Sequence, residues 1–158
     1  MSIIDEIDLR IVDLLMENGR MNAAKIAERL GQITERAVRY RIKRMENEGV
    51  IRICAIPNPK ILGYSVIADV FIEVETGKIS EVARQLVEIE CISYLACSIG
   101  ETDISAQVVA QSSDEIYVIV TEMIGIIQGV RKTTTSIVPL VLKDIYEWHI
   151  PRSILFQK

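Results

Sequence analysis

The sequence is poor in the residues that build metal and redox centres. It contains one histidine, His149, and three cysteines, Cys54, Cys91 and Cys97, none of them in CxxC spacing. A single histidine excludes a multi-histidine metal site, and three scattered cysteines favour neither a disulfide scaffold nor a zinc cluster. We therefore expect buried free thiols, no metal ion and no cofactor, with a packing or surface role for His149.

Long apolar runs and catalytic sequence motifs are also missing. No run is long enough to span a bilayer, and the N-terminus lacks the basic-then-apolar pattern of a signal peptide. We expect a cytoplasmic protein without a membrane partner. The sequence has no GxGxxG, P-loop or HExxH motif, so we assign no catalytic residue and do not expect an enzyme.

The charged residues are unevenly distributed along the chain. A net charge of −4 by itself argues against a nucleic-acid partner. However, the first 52 residues hold ten Lys and Arg against nine Asp and Glu, whereas the remainder holds eight against thirteen. A charge near +1 is modest for a DNA-binding domain. Two or more copies acting together would supply the missing affinity, which predicts an oligomer.

The stretch from Thr34 to Ile51 has the pattern of a helix that is apolar on one side and basic on the other. Val38, Ile42 and Met45 recur at helical spacing and predict a packed stripe. The opposite side provides hydrogen-bond donors for a phosphate-lined groove. The candidate DNA-binding residues of this segment are Thr34, Glu35, Arg36, Arg39, Tyr40, Lys43 and Arg44.

A solvated helix face is the alternative interpretation of this segment. Glu35, Glu46 and Glu48 have the spacing to pair locally with the basic residues. Arg41 lies nearer the packed side and Arg44 nearer the flank, so both are expected to serve structure or phosphate contact. We favour DNA binding because five basic residues fall within nine positions directly after a short, capped helix.

That preceding helix completes a predicted helix-turn-helix. It starts after Asn22, a suitable N-cap, and stops at Gly31, and Thr34 then caps the basic helix. Two short helices joined by a tight turn place the second one in the major groove. A further helix is predicted upstream from an apolar stripe behind acidic residues, formed by Ile7, Ile11, Leu14 and Leu15 behind Asp5, Glu6 and Asp8.

The second half of the chain begins with a predicted strand and helix. A connector rich in Pro, Asn and Gly precedes a strand of alternating apolar residues, Val66, Ala68, Val70, Ile72 and Val74. We predict that Ser80 caps the following helix. The inward residues of that helix are Val82, Leu86 and Ile89.

Two strands, a helix and a last strand follow. We predict strands near Ile92 to Ile99 and from Ile104, joined by a turn at Gly100 to Asp103. Ser112 and Glu115 have the spacing of a capping box, and the helix they open carries Ile116, Val120, Met123 and Ile127 on one face. Gly129 ends that helix. Thr133 to Leu142 is predicted as the final strand, with Pro139 at an edge or a bulge.

This order of elements predicts a ferredoxin-like βαββαβ domain, with both helices on one face of an antiparallel sheet. The other face of the sheet is then uncovered. Ile67 and Phe71 lie among acidic residues on the first strand, and the overall hydrophobic content is 49%. We therefore expect two copies to pair sheet to sheet, although a monomer with a tolerable surface is the alternative.

The order and spacing of these segments resemble the Lrp/AsnC family of feast/famine transcriptional regulators over essentially the whole chain. The N-terminal part resembles the family through I-D-E-I-D-L-R-I-V-D-L-L-M-E-N-G-R at Ile4 to Arg20, K-I-A-E-R-L, V-R-Y-R-I-K-R-M-E-N-E-G-V-I and the connector N-P-K-I-L-G. The C-terminal part does so through I-G-E-T-D at Ile99 to Asp103 and G-V-R-K-T-T-T-S-I-V at Gly129 to Val138.

The resemblance implies an oligomer and an effector. Sensing domains would pair into a β-sandwich in a homodimer that assembles to a tetramer or octamer, and two helix-turn-helix units would meet a palindromic site on double-stranded DNA. An amino acid would bind between sensing domains near the predicted turn. The effector-binding residues that follow from the resemblance are Gly100, Glu101, Thr102, Asp103, Thr133, Thr135 and Ser136.

We therefore predict an α+β protein with an N-terminal three-helix helix-turn-helix domain over residues 1–52 and a connector over 53–63. A ferredoxin-like sensing and oligomerisation domain follows over 64–147, with a tail over 148–158. The predicted function is sequence-specific DNA binding in transcription, with a response to an amino acid. The alternatives are an effector-independent architectural DNA-binding protein, or an enzyme on the same scaffold, because some proteins resembling this family act on tetrapyrroles.

Overall fold

The computed structural model describes residues 4–156 and divides them into two compact units. One unit contains the residues up to Ile56 together with those from Lys143 onward, and the other contains Pro57–Leu142. We call them the helical unit and the sheet unit. No helix among residues 4–156 combines the length and the apolar character needed to cross a bilayer.

Three helices form the helical unit: α1 (Glu6–Glu17), α2 (Ala23–Leu30) and α3 (Glu35–Asn47). Each follows an N-cap whose side chain accepts a hydrogen bond from a backbone N–H of the first turn, which satisfies a donor that the helix leaves free. Asp5, Asn22 and Thr34 are these caps. Gly31 ends α2 at φ +71°, in the left-handed region that favours glycine. The three predicted helices are confirmed.

The apolar sides of these helices meet in one core. Ile11, Ile26, Val38 and Met45 are fully buried there. The end of the chain also contributes: it forms short 3₁₀ helices over Ile145–Glu147 and Arg152–Phe156, and three of its apolar residues pack against the core. They are Ile150, Ile154 and Leu155. The sequence predicts a tail over 148–158, and its pattern gives no helix there.

Four antiparallel strands form the sheet unit: β1 (Val66–Val74), β2 (Ile92–Cys97), β3 (Ile104–Ala110) and β4 (Val130–Val138). Their order across the sheet is β2-β3-β1-β4. Helix α4 (Ile79–Val87) connects β1 to β2, and α5 (Ser113–Val118) lies between β3 and β4. The predicted ferredoxin-like βαββαβ domain is confirmed.

The core of the sheet unit lies on one face of the sheet. On the central strand β1, alternate residues such as Val70 and Ile72 are fully buried and pack with Val82 and Leu86 of α4 and with the helix after β3. The strand register fixes which residues of neighbouring strands share this face, because side chains directly opposite each other point the same way. Both helices therefore cover the same face of the sheet, and neither helix covers the opposite face.

The helix after β3 departs from the prediction. Beyond Val118 it continues as a π-helical turn over Ile119–Ile124. Such a turn contains an extra residue relative to an α-helix, so it shifts the inward face along the chain. Ile124 is fully buried, whereas Met123 is 42% exposed. The predicted inward face is correct for Ile116, Val120 and Ile127 and wrong for Met123.

Two predicted helix ends are also wrong. Ser80 does not cap α4, because the helix begins at Ile79 and has no side-chain cap. The π-helical turn ends at Ile124, with Gly125 as its C-cap, and not at Gly129. Gly129 instead lies in the turn before β4, where its φ of +102° suits glycine.

The last strand is displaced from its predicted position as well. It spans Val130–Val138 rather than Thr133 to Leu142, and it is an edge strand that pairs with β1. Pro139 has no N–H to donate to a strand ladder, so the strand ends before it.

Candidate functional site

The predicted DNA-binding helix α3 presents a set of polar side chains to solvent. Arg36, Arg39, Tyr40 and Lys43 are exposed, and the exposed fraction of Tyr40 reaches 70%. Within residues 4–156, Arg36 and Lys43 make no ion pair. The structure thus brings four of the seven predicted residues together on one exposed side of one helix.

Two further predicted residues occupy the start of α3. The hydroxyl of Thr34 accepts a hydrogen bond from the backbone N–H of Ala37 at 3.2 Å, so it serves as a cap. Glu35 forms a salt bridge with Arg39 one helical turn later. This is the local pairing that the sequence allows, and both partners are exposed. An exposed pair at this spacing stabilises a helix by only about 0.3–0.5 kcal/mol.

The opposite side of α3 is held by the helical unit. Val38 and Met45 are fully buried and Ile42 packs partly buried against the same core. Arg44, the seventh predicted residue, turns away from the exposed set: its Nη2 lies 2.5 Å from Oδ2 of Asp8 on α1. Among the described residues, arginines on the anchored side of α3 therefore have an acidic partner on α1, and arginines on its exposed side do not.

A small charged cluster joins α1 to α3. Nη1 of Arg41 donates to Asp8 Oδ1 at 2.8 Å and to Asp5 Oδ2 at 2.7 Å. The hydrogen bond to Asp8 raises the pKa of Arg41, so this guanidinium stays charged. Burial acts to raise the pKa of Asp5, but hydrogen bonds from the Asp8 backbone and from Arg41 outweigh it and lower that pKa. Asp5 and Arg41 are therefore both charged at neutral pH.

The predicted effector turn is tied to the end of β1. Gly100 and Glu101 are exposed, and Thr102 and Asp103 are half-buried. The Asp103 carboxylate accepts a hydrogen bond from the backbone N–H of Val74 at 2.7 Å. Backbone bonds join Asp103 N–H to the carbonyl of Ile72 at 3.1 Å and Ser98 N–H to the carbonyl of Asp103 at 2.8 Å. Asp103 therefore shapes the turn.

The predicted effector residues on β4 lie on two faces of the sheet. Ile72 of β1 stands opposite both Ile104 and Thr133, so Thr133 lies at the same level of the sheet as the residue following the turn. Thr135 stands opposite the buried Val70 and shares the helix-covered side. Ser136 stands opposite Asp69 and points to the other face. The structure brings Thr133 and Thr135 together and separates Ser136 from them.

The uncovered face of the sheet mixes polar and apolar side chains. On β1 it carries Asp69, whose Oδ1 accepts a hydrogen bond from Gln107 Nε2 at 3.1 Å, and Phe71, which is 38% exposed. Glu73 follows on the same face and pairs with Arg131 at 2.9 Å and Lys132 at 3.0 Å, contacts that lower its pKa. An exposed aromatic ring in the middle of a sheet is suited to contact with another surface.

The three cysteines, which the sequence predicts to be buried, differ in exposure from that prediction. Cys54 and Cys97 are exposed, which corrects the expectation of buried thiols. Only Cys91 is partly buried, and burial raises the pKa of its thiol. Nδ1 of His149 lies 3.3 Å from Asp13 Oδ1 near the surface. Among residues 4–156, no three His, Cys, Asp or Glu side chains are grouped to hold a metal ion.

Two models of protein families match the chain. A winged helix-turn-helix DNA-binding model matches residues 4–52, and an Lrp/AsnC ligand binding domain model matches residues 67–147. The first match contains α1, α2 and α3, and the second contains the whole four-stranded sheet except the first residue of β1.

Individual proteins match over nearly their full lengths. The chain is 38% identical over 141 residues to an HTH-type transcriptional regulator of Pyrococcus furiosus, covering 89% of this chain and 95% of that one. It is 37% identical over 141 residues to the HTH-type transcriptional regulator LrpA of Pyrococcus horikoshii, covering 89% and 99%. A transcriptional regulator from Neisseria meningitidis, solved in complex with L-Met, shares the fold with a TM-score of 0.85 at 20% identity, covering 94% and 96%.

Proposed function

Because the chain belongs to the Lrp/AsnC family of transcriptional regulators, we propose that it binds duplex DNA through the exposed side of α3 and that an amino acid regulates this binding. The single observation that carries the proposal is the division of α3 into an anchored and a free side. A helix held in this way enters a major groove without losing its packing.

The free side of α3 has the donors that such a contact needs. Arginine is suited to guanine edges and lysine to phosphates, and Tyr40 adds a hydroxyl. We assign base or phosphate contact to Arg36, Arg39, Tyr40 and Lys43. The Glu35–Arg39 pair does not oppose this role, because an exposed ion pair is weak and Arg39 loses little when it turns to DNA.

DNA binding by this chain requires more than one copy. The helical unit has a small net charge, so a single α3 neutralises few phosphates. We propose that the open sheet face around Phe71 pairs with the same face of a second copy, which buries that ring. A twofold dimer then presents two α3 helices to successive major grooves about 34 Å apart on a palindromic site.

An amino acid is the proposed effector. The regulator from Neisseria meningitidis with the same fold was solved with L-Met, and the domain model that matches residues 67–147 describes ligand binding. We place the effector near Gly100 to Asp103, at the end of the sheet where Thr133 and Thr135 lie on β4 beyond β1. Backbone amides and hydroxyls there are suited to a carboxylate and an ammonium group. Its binding would change the relative placement of two copies and thereby the spacing of the two α3 helices.

The DNA contact is tested by removing one donor at a time. A duplex is first selected from a random-sequence pool with the wild-type protein. Arg39→Ala is expected to weaken binding to that duplex by roughly 1–3 kcal/mol without loss of folding, since it removes one contact of an exposed side chain. Fluorescence anisotropy at fixed salt measures the affinity.

Arg84→Ala is the matched control. Arg84 is exposed on α4 of the sheet unit, so this change removes the same charge from the protein without touching α3. Equal affinities for Arg39→Ala and wild type would reject the assigned face. An equal loss in both variants would mean that overall charge, not α3, sets the affinity.

The effector assignment is tested by titrating amino acids, including L-methionine, into the protein–DNA complex. We expect Asp103→Ala to abolish the response while DNA binding without effector is retained, because the turn loses the carboxylate that ties it to Val74. Ser136→Ala, on the opposite face, is expected to keep the response. A retained response in Asp103→Ala would move the effector elsewhere, and loss in Ser136→Ala alone would move it to the open face.

A further inference from the structure

Asp8 is unusual among the charged residues of residues 4–156, because it is the only one that is buried. Its side chain is 1% exposed, although it belongs to the first turn of α1, close to solvent-accessible residues. Such burial is tolerated only when a charge is paired and hydrogen-bonded. The partners of Asp8 therefore define what it does.

All of its oxygen contacts run to α3 or to the start of α1. Oδ1 accepts from Arg41 Nη1 at 2.8 Å, and Oδ2 accepts from Arg44 Nη2 at 2.5 Å. Oδ2 also accepts from the backbone N–H of Asp5 at 3.0 Å, which completes a capping box. One carboxylate thus holds two guanidinium groups that lie three residues apart on α3.

The geometry of Arg44 shows how strongly it is held. Its Nε is buried without a hydrogen-bond partner, and Glu48 lies 3.7 Å from that nitrogen. A side chain free to choose its position would place this N–H in water. The attraction of Asp8 for the outer nitrogen outweighs this loss.

Arg44 lies next to the surface proposed to meet DNA, although Asp8 holds its guanidinium. Arg44 borders the same shallow hollow as Tyr40 and Lys43, two residues of the exposed set. A guanidinium released at this flank of α3 is placed to contact phosphate, and a phosphate contact carries no sequence information. The number of cations that α3 offers to DNA is therefore set by a residue of α1.

We propose that Asp8 is a positioning residue for DNA recognition, which keeps Arg44 off the duplex so that α3 reads DNA with Arg36, Arg39, Tyr40 and Lys43. This inference rests on the proposed role of α3. It assigns to a buried acid the function of raising sequence preference by limiting phosphate contacts.

The test is the salt dependence of DNA binding by Asp8→Asn. The slope of log affinity against log salt counts neutralised phosphates, at about 0.9 for each phosphate. With Asp8 neutral, we expect the slope to steepen by the equivalent of roughly one phosphate or more per copy. We also expect the ratio of affinities for the selected duplex and a random duplex to fall. A purely structural role of Asp8 would lower stability and weaken binding to both duplexes, but would not steepen the slope.

Two further variants complete the test. Adding Arg44→Gln to Asp8→Asn is expected to remove most of the extra slope. Asp13→Asn takes the same charge from α1 at a site paired with His149 and Arg152, and is expected to keep the wild-type slope. An unchanged slope and affinity ratio in folded Asp8→Asn would overturn the proposal.

Arg44→Gln alone keeps the proposal testable if Asp8→Asn does not fold. Because Arg44 is already neutralised by Asp8, this variant is expected to retain the wild-type slope, and a slope reduced by about 0.9 would show that Arg44 itself contacts phosphate. Arg36→Ala distinguishes a failure of the proposed role of α3 from a failure of the proposed role of Asp8. If it leaves the slope unchanged, the role of α3 in DNA binding fails, whereas a reduced slope there with no effect of Asp8→Asn rejects only the role of Asp8.

Discussion

The helical unit and the sheet unit each leave one surface uncovered, and the two surfaces differ in kind. The free side of α3 is made of cations and a tyrosine, while the open sheet face holds Phe71 among polar pairs such as Asp69 and Gln107. The free side of α3 suits binding to a polyanion, and salt strongly screens the electrostatic attraction between the two. The open sheet face suits contact with the same face of another copy, and the apolar area buried in such a contact contributes more to binding than charge does.

This difference indicates that each of the two surfaces is supported by a core of its own. The helical core contains Ile26 and Val38, and the sheet core contains Ile72 and Ile124, with each set packed inside its own unit. Damage to one core should therefore remove one surface and spare the other. Three substitutions test this separation, in order of decreasing effect.

Val38→Asp is expected to unfold the helical unit. It places an unpaired carboxylate at a fully buried position, which we expect to cost more than about 4 kcal/mol. Hydrogen exchange resolved along the chain should show protection lost in α1, α2 and α3 but retained in the strands. Ala24→Asp, at an exposed position of α2, is the control and should leave protection intact. Retained protection of α3 in Val38→Asp would mean that this stripe is not core.

Ile124→Ala should weaken the sheet unit. It removes a fully buried side chain from the π-helical turn, for which a loss of roughly 2–5 kcal/mol is expected. Met123→Ala, one residue earlier and 42% exposed, should change stability much less than Ile124→Ala, by about 1 kcal/mol or below. Thermal and urea unfolding measure both. If Met123→Ala cost more than Ile124→Ala, the helix would be α-helical there as the sequence predicts.

Phe71→Glu is expected to act on assembly more than on folding. Its ring is partly exposed on the open face, so a carboxylate is tolerated in one copy but would lie unpaired between two. We expect self-association to weaken by roughly 2 kcal/mol, about 30-fold, in sedimentation equilibrium. Thr121→Glu, exposed on the helix side, should leave it unchanged. Unaltered association of Phe71→Glu would place the contact between copies elsewhere.

Most of the fold could be predicted because local signals agree with it. The caps Asn22, Gly31 and Thr34 bracket the two helices, and the alternation along β1 selects its buried face. The failures have local causes. The 3.6-residue periodicity of an α-helix does not reveal the π-helical turn. Because of that turn, Ile124 lies in the core at the place predicted for Met123. Residues without periodicity, such as those around Ile154, carry no signal of their packing with the helices.

The candidate site was predictable in part for the same reason. The exposed positions of α3 follow from its period, and Arg36, Arg39 and Lys43 lie where helical spacing puts them. The partner of Arg44 does not follow, because Asp8 is 36 residues away and sequence assigns it only to the start of α1. Likewise, strand register places Thr133 level with Ile104 across β1, and register emerges from pairing rather than from composition.

The salt dependence of DNA binding tests the central claim most directly. The affinity for the selected duplex is measured over a salt series for the wild type and for the triple variant Arg36→Ala, Arg39→Ala, Lys43→Ala, with the unfolding curve of each recorded alongside. If the free side of α3 meets the duplex, the slope of log affinity against log salt should become shallower by about 0.9 for each phosphate that the variant no longer neutralises, with folding unchanged. Equal slopes for the two proteins would contradict the account.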